Sequence, residues 1–538
     1  MHNKFRKFAS AIVLSSLFLA GCSVTAVNED AEINWVIAGN NLFNGHMDPH
    51  SSQLDASAYL NRQIFDSLVT INDEGDIKPW LATEWTVSED ALSYIFKLRE
   101  DVTFHDGEKF DANAVKVNFD HVTAKTTESA QAASMIGGDS FIGAVVLDEY
   151  LVELKLSTPF KPLLVNLSSA FLGLYSPKVL TEKTQGEIRA GGAEVQVGTG
   201  PFILKESVTN VELVLERNDD YRWAPDGSGN PPKAKTLRVL FVPDESAREI
   251  AISRGDADVA SNISGVALAS LPSEVQINKT PSPGIPYSVY LNTKRDAFKD
   301  VNVRLAFAHG FDAKKAISAA FQGEIEWPLS ILSPTTAQSY LETAKGFTYQ
   351  PELANSLLDD AGWATKDADG YRVDASGKRL SVYWASWTPF PPEHQVIVNF
   401  MVDDLKNVGI ELVHEALEPA QYQAAYSDAN GLKLDFDLTD WSFASLDPIV
   451  LSNHLASGGY QNASAVSDAE VDAWLSQAAI EQDPEVRRSL YQKVQEWNEV
   501  NAVIVPIYLP QSVVTFRDVT DLVFDSYGWP LFYKASKS

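Results

Sequence analysis

Apolar residues recur along this chain with two different periods, and the switch between them divides it into strands and helices. A period of two marks half-buried strands. At 93–99, Tyr94, Phe96 and Leu98 share one face while Lys97 and Arg99 take the other. At 150–156, Val152 and Leu154 oppose Glu153 and Lys155 in the same way. Strand-like runs also stand at 33–38, 237–242, 287–292 and 503–508. A period near 3.6 marks helices. One carries Leu60 and Ile64, and another runs through Val115 and Phe119 behind Asp111, which has the chemistry of an N-cap. The segment 351–362 begins at Pro351 and stops at Gly362, the expected asymmetry of helix ends. Val396, Phe400, Met401 and Leu405 repeat helically in 392–408, as do Val486, Leu490, Tyr491, Val494 and Trp497 in 485–497. The segment 39–50 reads as a loop, Asp106-Gly107 as a turn, and the Gly-rich stretch 185–200 as a tight connector. There is no repeat, low-complexity tract or long linker. The pattern predicts a mixed α/β fold in two large lobes.

Length supports that division, since 538 residues exceed what one hydrophobic core sustains. An apolar fraction of 45% argues for packed structure rather than disorder. The net charge of −29 repels nucleic acid and anionic lipid, so no nucleic-acid partner is expected. The chain has one cysteine, Cys22, which excludes an internal disulfide and a cysteine-based zinc site.

The position of that cysteine suggests its use. Residues 1–7 are basic, and 8–20 are apolar over a length too short to span a bilayer comfortably. They end in Leu19-Ala20-Gly21-Cys22, which resembles the bacterial lipobox. The resemblance implies a signal peptide at 1–21, a lipid-modified Cys22 and a polar tether at 22–32. Each buried acyl CH₂ would contribute about 0.8 kcal/mol to holding the chain on a membrane. No later stretch is apolar for the roughly 20 residues that a membrane helix needs.

Catalytic chemistry is not legible. There is no Gly-x-Ser-x-Gly elbow, Walker A loop, dinucleotide glycine fingerprint or His-Glu-x-x-His motif. Carboxylate pairs such as Asp359-Asp360 are unremarkable among 72 acids. His46 and His50 are four apart, but Pro49 between them disfavours a shared helical face, so they read as loop histidines. No enzymatic activity and no cofactor are expected. Trp474 and Trp497 sit on helical faces and read as core. Trp387 and Trp441 stand where strands give way to loops, where aromatic side chains commonly line ligand clefts.

Several stretches resemble the peptide- and nickel-binding lipoproteins of ABC importers, extracellular solute-binding family 5. They include Pro79-Trp80-Leu81-Ala82-Thr83-Glu84-Trp85, 98–107, Gly198-Thr199-Gly200-Pro201-Phe202, Arg217-Asn218-Asp219-Asp220-Tyr221 and 253–258. Val303-Arg304-Leu305-Ala306-Phe307-Ala308, Ala361-Gly362-Trp363 and Val505-Pro506-Ile507-Tyr508 continue the order through the second half. The resemblance implies a two-lobed periplasmic-binding-protein fold, type II and cluster C-like, with an extra subdomain in lobe I. It implies lobe I at 33–283 plus 507–538, an insert at about 73–195, and lobe II at 284–506. The hinge is expected near 282–287 and 505–508. A monomer in the bacterial cell envelope is implied, periplasmic or on the outer surface, delivering a captured solute to permease subunits. A sensory or chaperone-like lipoprotein on the same fold is a second alternative.

The cargo is to be read from departures. Peptide binders resembling this chain place an Asp three or four residues after a loop Trp, where it pairs with the ligand's amine. Here the loop runs Trp441-Ser442-Phe443-Ala444-Ser445-Leu446-Asp447-Pro448, so that carboxylate is absent or displaced to Asp447. Nickel binders resemble "W-G-x-x-Y-D-P" there, with a downstream His; this chain keeps Trp441, Asp447-Pro448 and His454. No Arg occurs in 124–175 to match their arginine pair. The expected ligand-binding residues are Asn41, Trp387, Trp441, Ser442, Ser445, Asp447 and His454, with His454 the candidate metal ligand. A peptide or peptide-like solute is the first expectation, and nickel or a metal chelate, as cargo, the alternative.

Overall fold

The computed structural model describes residues 31–39, 42–72, 75–336, 340–428 and 431–537. Cys22 with its leader, and Asn41, lie outside the described residues.

Three sheets organise the chain. The first has seven strands, in the order Gln276–Pro281, Gln511–Phe516, Val259–Ser261, Glu32–Ile37, Thr236–Phe241, Glu212–Arg217 and Phe202–Val208. Glu32–Ile37 lies at its centre, parallel to both neighbours. Ile33, Trp35 and Ile37 enter one core, and on the opposite face, beyond the polar Glu32 and Asn34, Val36 enters another. Trp35 is fully buried against Tyr59 and Phe532 and donates Nε1–H to the Ser261 hydroxyl at 2.9 Å. A four-stranded antiparallel sheet branches from this lobe, in the order Ala82–Val87, Ser93–Leu98, Leu151–Leu156 and Phe141–Asp148. Helix Ala112–Thr123 packs on it, capped by the Asp111 carboxylate accepting from the Ala114 amide at 2.8 Å.

The third sheet forms the second lobe, in the order Glu411–Leu417, Ser381–Trp387, Leu438–Ala444, Gly284–Leu291 and Ile504–Tyr508. Strand Gly284–Leu291 is buried throughout, its two faces feeding two separate cores. Helices Pro392–Val408 and Pro484–Asn501 cover the sheet, each beginning at a proline; Gly409, in the left-handed region, ends the first.

The chain crosses between the lobes twice, side by side. It leaves the seven-stranded sheet at Pro281 and joins the five-stranded one at Gly284, then returns between Tyr508 and Gln511. The Ser282 amide donates to the Pro510 carbonyl at 2.8 Å, tying the two crossings together. Prolines at 281, 283 and 510 restrict these short segments to a few backbone torsions.

One local reading needs correction. The Gly-rich stretch contains a helix, Gln185–Ala190, started by a capping box in which Thr184 and Glu187 satisfy each other's backbone amides. The glycines at 191 and 192 follow it, so they stop a helix instead of preventing one.

Candidate functional site

Strand Leu438–Ala444 carries the loop that sequence singled out, and its alternation sorts the side chains. Asp440 turns toward one core and is nearly fully buried. It accepts from Tyr287 Oη and Trp384 Nε1, both at 2.6 Å, and from the Ser386 hydroxyl. Burial pushes its carboxyl above the usual range, and those three donors oppose the shift. Trp441 faces the opposite core, with its ring 4.6 Å from Tyr290 and 5.8 Å from Tyr426. Phe443 follows on the same face, and Ser442 between them is exposed.

Beyond the strand the chain turns at Ser445, whose hydroxyl donates to the Asp447 carbonyl at 2.8 Å. The Asp447 carboxylate is not free. Arg487, from helix Pro484–Asn501, holds it by two bonds of 2.7 and 3.0 Å, and the Ile449 amide donates to it at 2.8 Å. Both side chains are largely excluded from water, at 6% and 12% exposure. Arg487 also reaches the Ala478 carbonyl at 2.9 Å and Tyr491 Oη at 3.2 Å, so its fork is anchored from several sides. The Asp447 carboxylate is thereby neutralised within the protein.

His454 is fully buried in an aromatic nest, with ring centres 5.3 Å from Phe443, 5.7 Å from Tyr290 and 6.3 Å from Trp441. Nδ1 lies 2.9 Å from the Val450 carbonyl, which can only accept, so Nδ1 carries the proton. Burial pulls the ring's pKa down to about 4, and Nε2 is left as a bare lone pair without a partner. The Trp441 indole N–H lies beside the Tyr290 hydroxyl without reaching hydrogen-bond geometry.

Next to this nest is a cavity of about 310 Å³ between the lobes. The branch of lobe I supplies Met135, Gly137 and Phe160 to its wall, and lobe II supplies Phe443, Ile449 and Tyr460. Its polar lining includes Gln131, Ser134, Asn166, Ser445, Ser452 and Asn453. Among the described residues no charged side chain lines it. Gln131 Oε1 and Ser452 Oγ are buried without partners and offer hydrogen-bonding capacity to an occupant. The lobes touch at its edge, where the Lys161 amide donates to the Ala479 carbonyl at 2.8 Å and Lys161 Nζ reaches Gln482 Oε1 at 3.2 Å. A second cavity, of about 470 Å³ beside His105, Lys178 and Glu194, lies wholly within lobe I and cannot couple occupancy to lobe closure.

Of the residues expected from sequence, Ser445 lines the interlobe cavity. Trp441 and His454 stand one layer behind it through Phe443, and Asp447 is committed to Arg487. Ser442 points away, and Trp387, 51% exposed, packs its edge near Tyr422 at 6.0 Å outside the cavity. The walls formed by Met135, Phe160, Ile449 and Tyr460 were not anticipated. Phe443 alone had a signal, its period-two relation to Trp441.

Two α/β lobes joined by paired crossings, with a cavity at their junction, define a two-lobed binding protein in which a solute is held between lobes. Comparison with known proteins gives the family. The model for "Bacterial extracellular solute-binding proteins, family 5 Middle" matches residues 76–463, and the chain belongs to that family of solute-binding proteins of ABC importers. It is 25% identical over 494 residues to the nickel-binding periplasmic protein of Escherichia coli strain K12, covering 89% of this chain and 90% of the relative. The structure of NikA from Brucella suis in complex with Fe(III)-EDTA matches with a TM-score of 0.79 and 25% identity, over 95% of this chain and 100% of that one. The oligopeptide-binding protein AppA from Bacillus subtilis, in complex with a nonapeptide, matches in fold with a TM-score of 0.81 and 19% identity, over 95% and 100%. Among the described residues no helix is long and apolar enough to cross a membrane.

Proposed function

We propose that this protein captures a small peptide-like or other organic solute whose buried part is uncharged, encloses it between the lobes and delivers it to a membrane permease. The observation that carries the reading is the neutral lining of the interlobe cavity, together with the Arg487 fork on Asp447. A free ammonium or carboxylate placed there would lose its hydration without gaining an opposite charge, at a cost of several kcal/mol. Apolar walls and a few amide and hydroxyl groups suit a blocked, cyclic or side-chain-neutral solute instead. In this reading residues 284–506 move as one body against 33–283 plus 507–538, bending at the proline-bounded crossings. Ligand favours the closed arrangement by its differential affinity for it. Lipid-modified Cys22 tethers the monomer to a membrane of the bacterial cell envelope, in the periplasm or on the outer cell surface.

A second reading, capture of nickel or a metal chelate, is favoured by one observation: the bare Nε2 of buried, neutral His454 beside the cavity. Native mass spectrometry with elemental analysis of protein purified without denaturation separates the two. A neutral organic adduct supports the first reading, and stoichiometric nickel that His454→Phe abolishes supports the second. A ladder of free-amine peptides would overturn the argument from the neutral lining.

A further inference from the structure

Away from the cleft, lobe I brings together Asp48, His50 and His121, whose donor atoms all lie within 4.8 Å of one another. Their hydrogen bonds fix both imidazole tautomers. His50 Nε2 lies 2.8 Å from the Gly173 carbonyl, an acceptor only, so this nitrogen carries a proton. His121 Nε2 lies 2.8 Å from Gln185 Oε1. The Gln185 amide is oriented by its other end, where Nε2 donates to Asp48 Oδ2 at 2.9 Å, so Oε1 accepts and His121 Nε2 is protonated too. In two neutral rings both Nδ1 atoms are then bare, and they face each other at 2.9 Å. Two lone pairs at that distance repel unless something positive stands between them.

A proton is one candidate and a metal ion the other. Burial opposes the proton, since His50 is 1% exposed and a charged imidazolium there would lose its hydration. A cation uses every group present. We propose that His50 Nδ1, His121 Nδ1 and the Asp48 carboxylate bind one divalent transition-metal ion of the Zn²⁺ type. Two imidazoles and one carboxylate suit zinc, cobalt or nickel better than calcium or magnesium. Metal–nitrogen bonds of about 2.0–2.1 Å at a tetrahedral angle need the nitrogens roughly 3.3 Å apart, so the pair opens by about 0.4 Å on loading. The outer partners are in place: Gly173 holds one ring, Gln185 bridges the other ring to Asp48, and Tyr175 Oη approaches Asp48 Oδ1 at 3.5 Å.

The site joins segments distant in sequence. Asp48 and His50 follow the central strand Glu32–Ile37, His121 ends helix Ala112–Thr123, and Gln185 opens the capped helix Gln185–Ala190. A bound ion would staple the branched subdomain to the body of lobe I. Because none of the three ligands lines the interlobe cavity, this ion is a resident structural one and not cargo.

The test uses tag-free full-length protein stripped by a chelator. Zn²⁺ affinity is read by competition with a chromophoric chelator, and Co²⁺ is used for its visible absorption. Wild type is expected to bind one equivalent, give a four-coordinate cobalt spectrum and gain thermal stability with zinc. His121→Phe, at a partly exposed position, should lose at least 100-fold in affinity and the zinc-dependent gain. Gln185→Leu, which removes no ligand atom, should lose about 10–100-fold. His454→Phe should keep the wild-type stoichiometry, which separates this site from a metal cargo in the cleft. The proposal is overturned if stripped wild type binds zinc no more tightly than His121→Phe, or if His454→Phe abolishes the binding.

Discussion

Replacing Arg487 by Met tests whether Asp447 is neutralised inside lobe II or available to a ligand. The side chains are similar in length, so the change removes donors more than volume. It leaves the Asp447 carboxylate, 6% exposed, with the Ile449 amide at 2.8 Å but without its two guanidinium bonds. Breaking a buried pair from one side costs about 3–5 kcal/mol, because the remaining charge is uncompensated. For a lobe-sized unit of roughly 150–250 residues, where each kcal/mol shifts Tm by about 2–4 °C, the midpoint falls on the order of 10 °C. Asp447→Asn/Arg487→Met removes both charges and should regain more than half of that loss, giving a coupling energy well above 1 kcal/mol. Urea unfolding of wild type, both single variants and the double variant, followed by tryptophan fluorescence, measures the cycle. Arg487→Met should also bind free-amine solutes more tightly than wild type, since it unmasks a carboxylate near Ser445. A loss under 1 kcal/mol for Arg487→Met would refute the reasoning and return Asp447 to the ligand.

Three further outcomes are expected. Gly284 has φ +100°, and an added Cβ would stand 2.2 Å from the Phe443 carbonyl oxygen and 2.6 Å from the Ser445 amide nitrogen. Gly284→Ala should therefore displace the cavity loop, weakening solute binding at least tenfold by calorimetry and costing about 1–3 kcal/mol or more in stability. Asp66 is buried beneath Trp223 Nε1 at 2.9 Å and Thr199 Oγ1 at 3.0 Å, and desolvation pushes its pKa up to about 7. Between its unfolded value near 4 and pH 7 the folded chain holds a proton that the unfolded chain releases, so this group's stabilising contribution falls as pH rises through that window. Relative to Asp66→Asn, wild type should lose stability from pH 5 to pH 8 in denaturant titrations, and parallel pH profiles would refute the assignment. Ser445→Asp places an unpaired carboxylate in the neutral cavity and should lower affinity for an uncharged solute by about tenfold or more, measured by calorimetry.

Elements with a strong local signal were legible. Ser93–Leu98 and Leu151–Leu156 show their strand phase because each has one buried face, and the Asp111 cap stands directly before its helix. The helix Gln185–Ala190 is hidden in the sequence although its Thr184–Glu187 capping box is present, since the glycines beyond it dominate the composition. The site was legible only as a loop. Trp441 drew attention by residue type, but only the strand's alternation shows that it and Phe443 share a face that excludes Ser442. Arg487 lies 40 residues beyond Asp447 and nothing local links them, so the fate of the carboxylate could not be read. Nor could the lobe I wall of the cavity, which the branched subdomain supplies from Met135 to Phe160. The same holds for His50 and His121, 71 residues apart, whose conflicting lone pairs exist only in three dimensions.

The measurement that bears most directly on the central claim is native mass spectrometry of the protein as purified, repeated on a Phe443→Asp variant. The account predicts one uncharged organic adduct on the wild-type chain, released on denaturation. It predicts loss of that adduct from the variant, while metal held at Asp48, His50 and His121 stays. An adduct retained undiminished by Phe443→Asp would contradict the claim that a solute is held in the neutral cavity between the lobes.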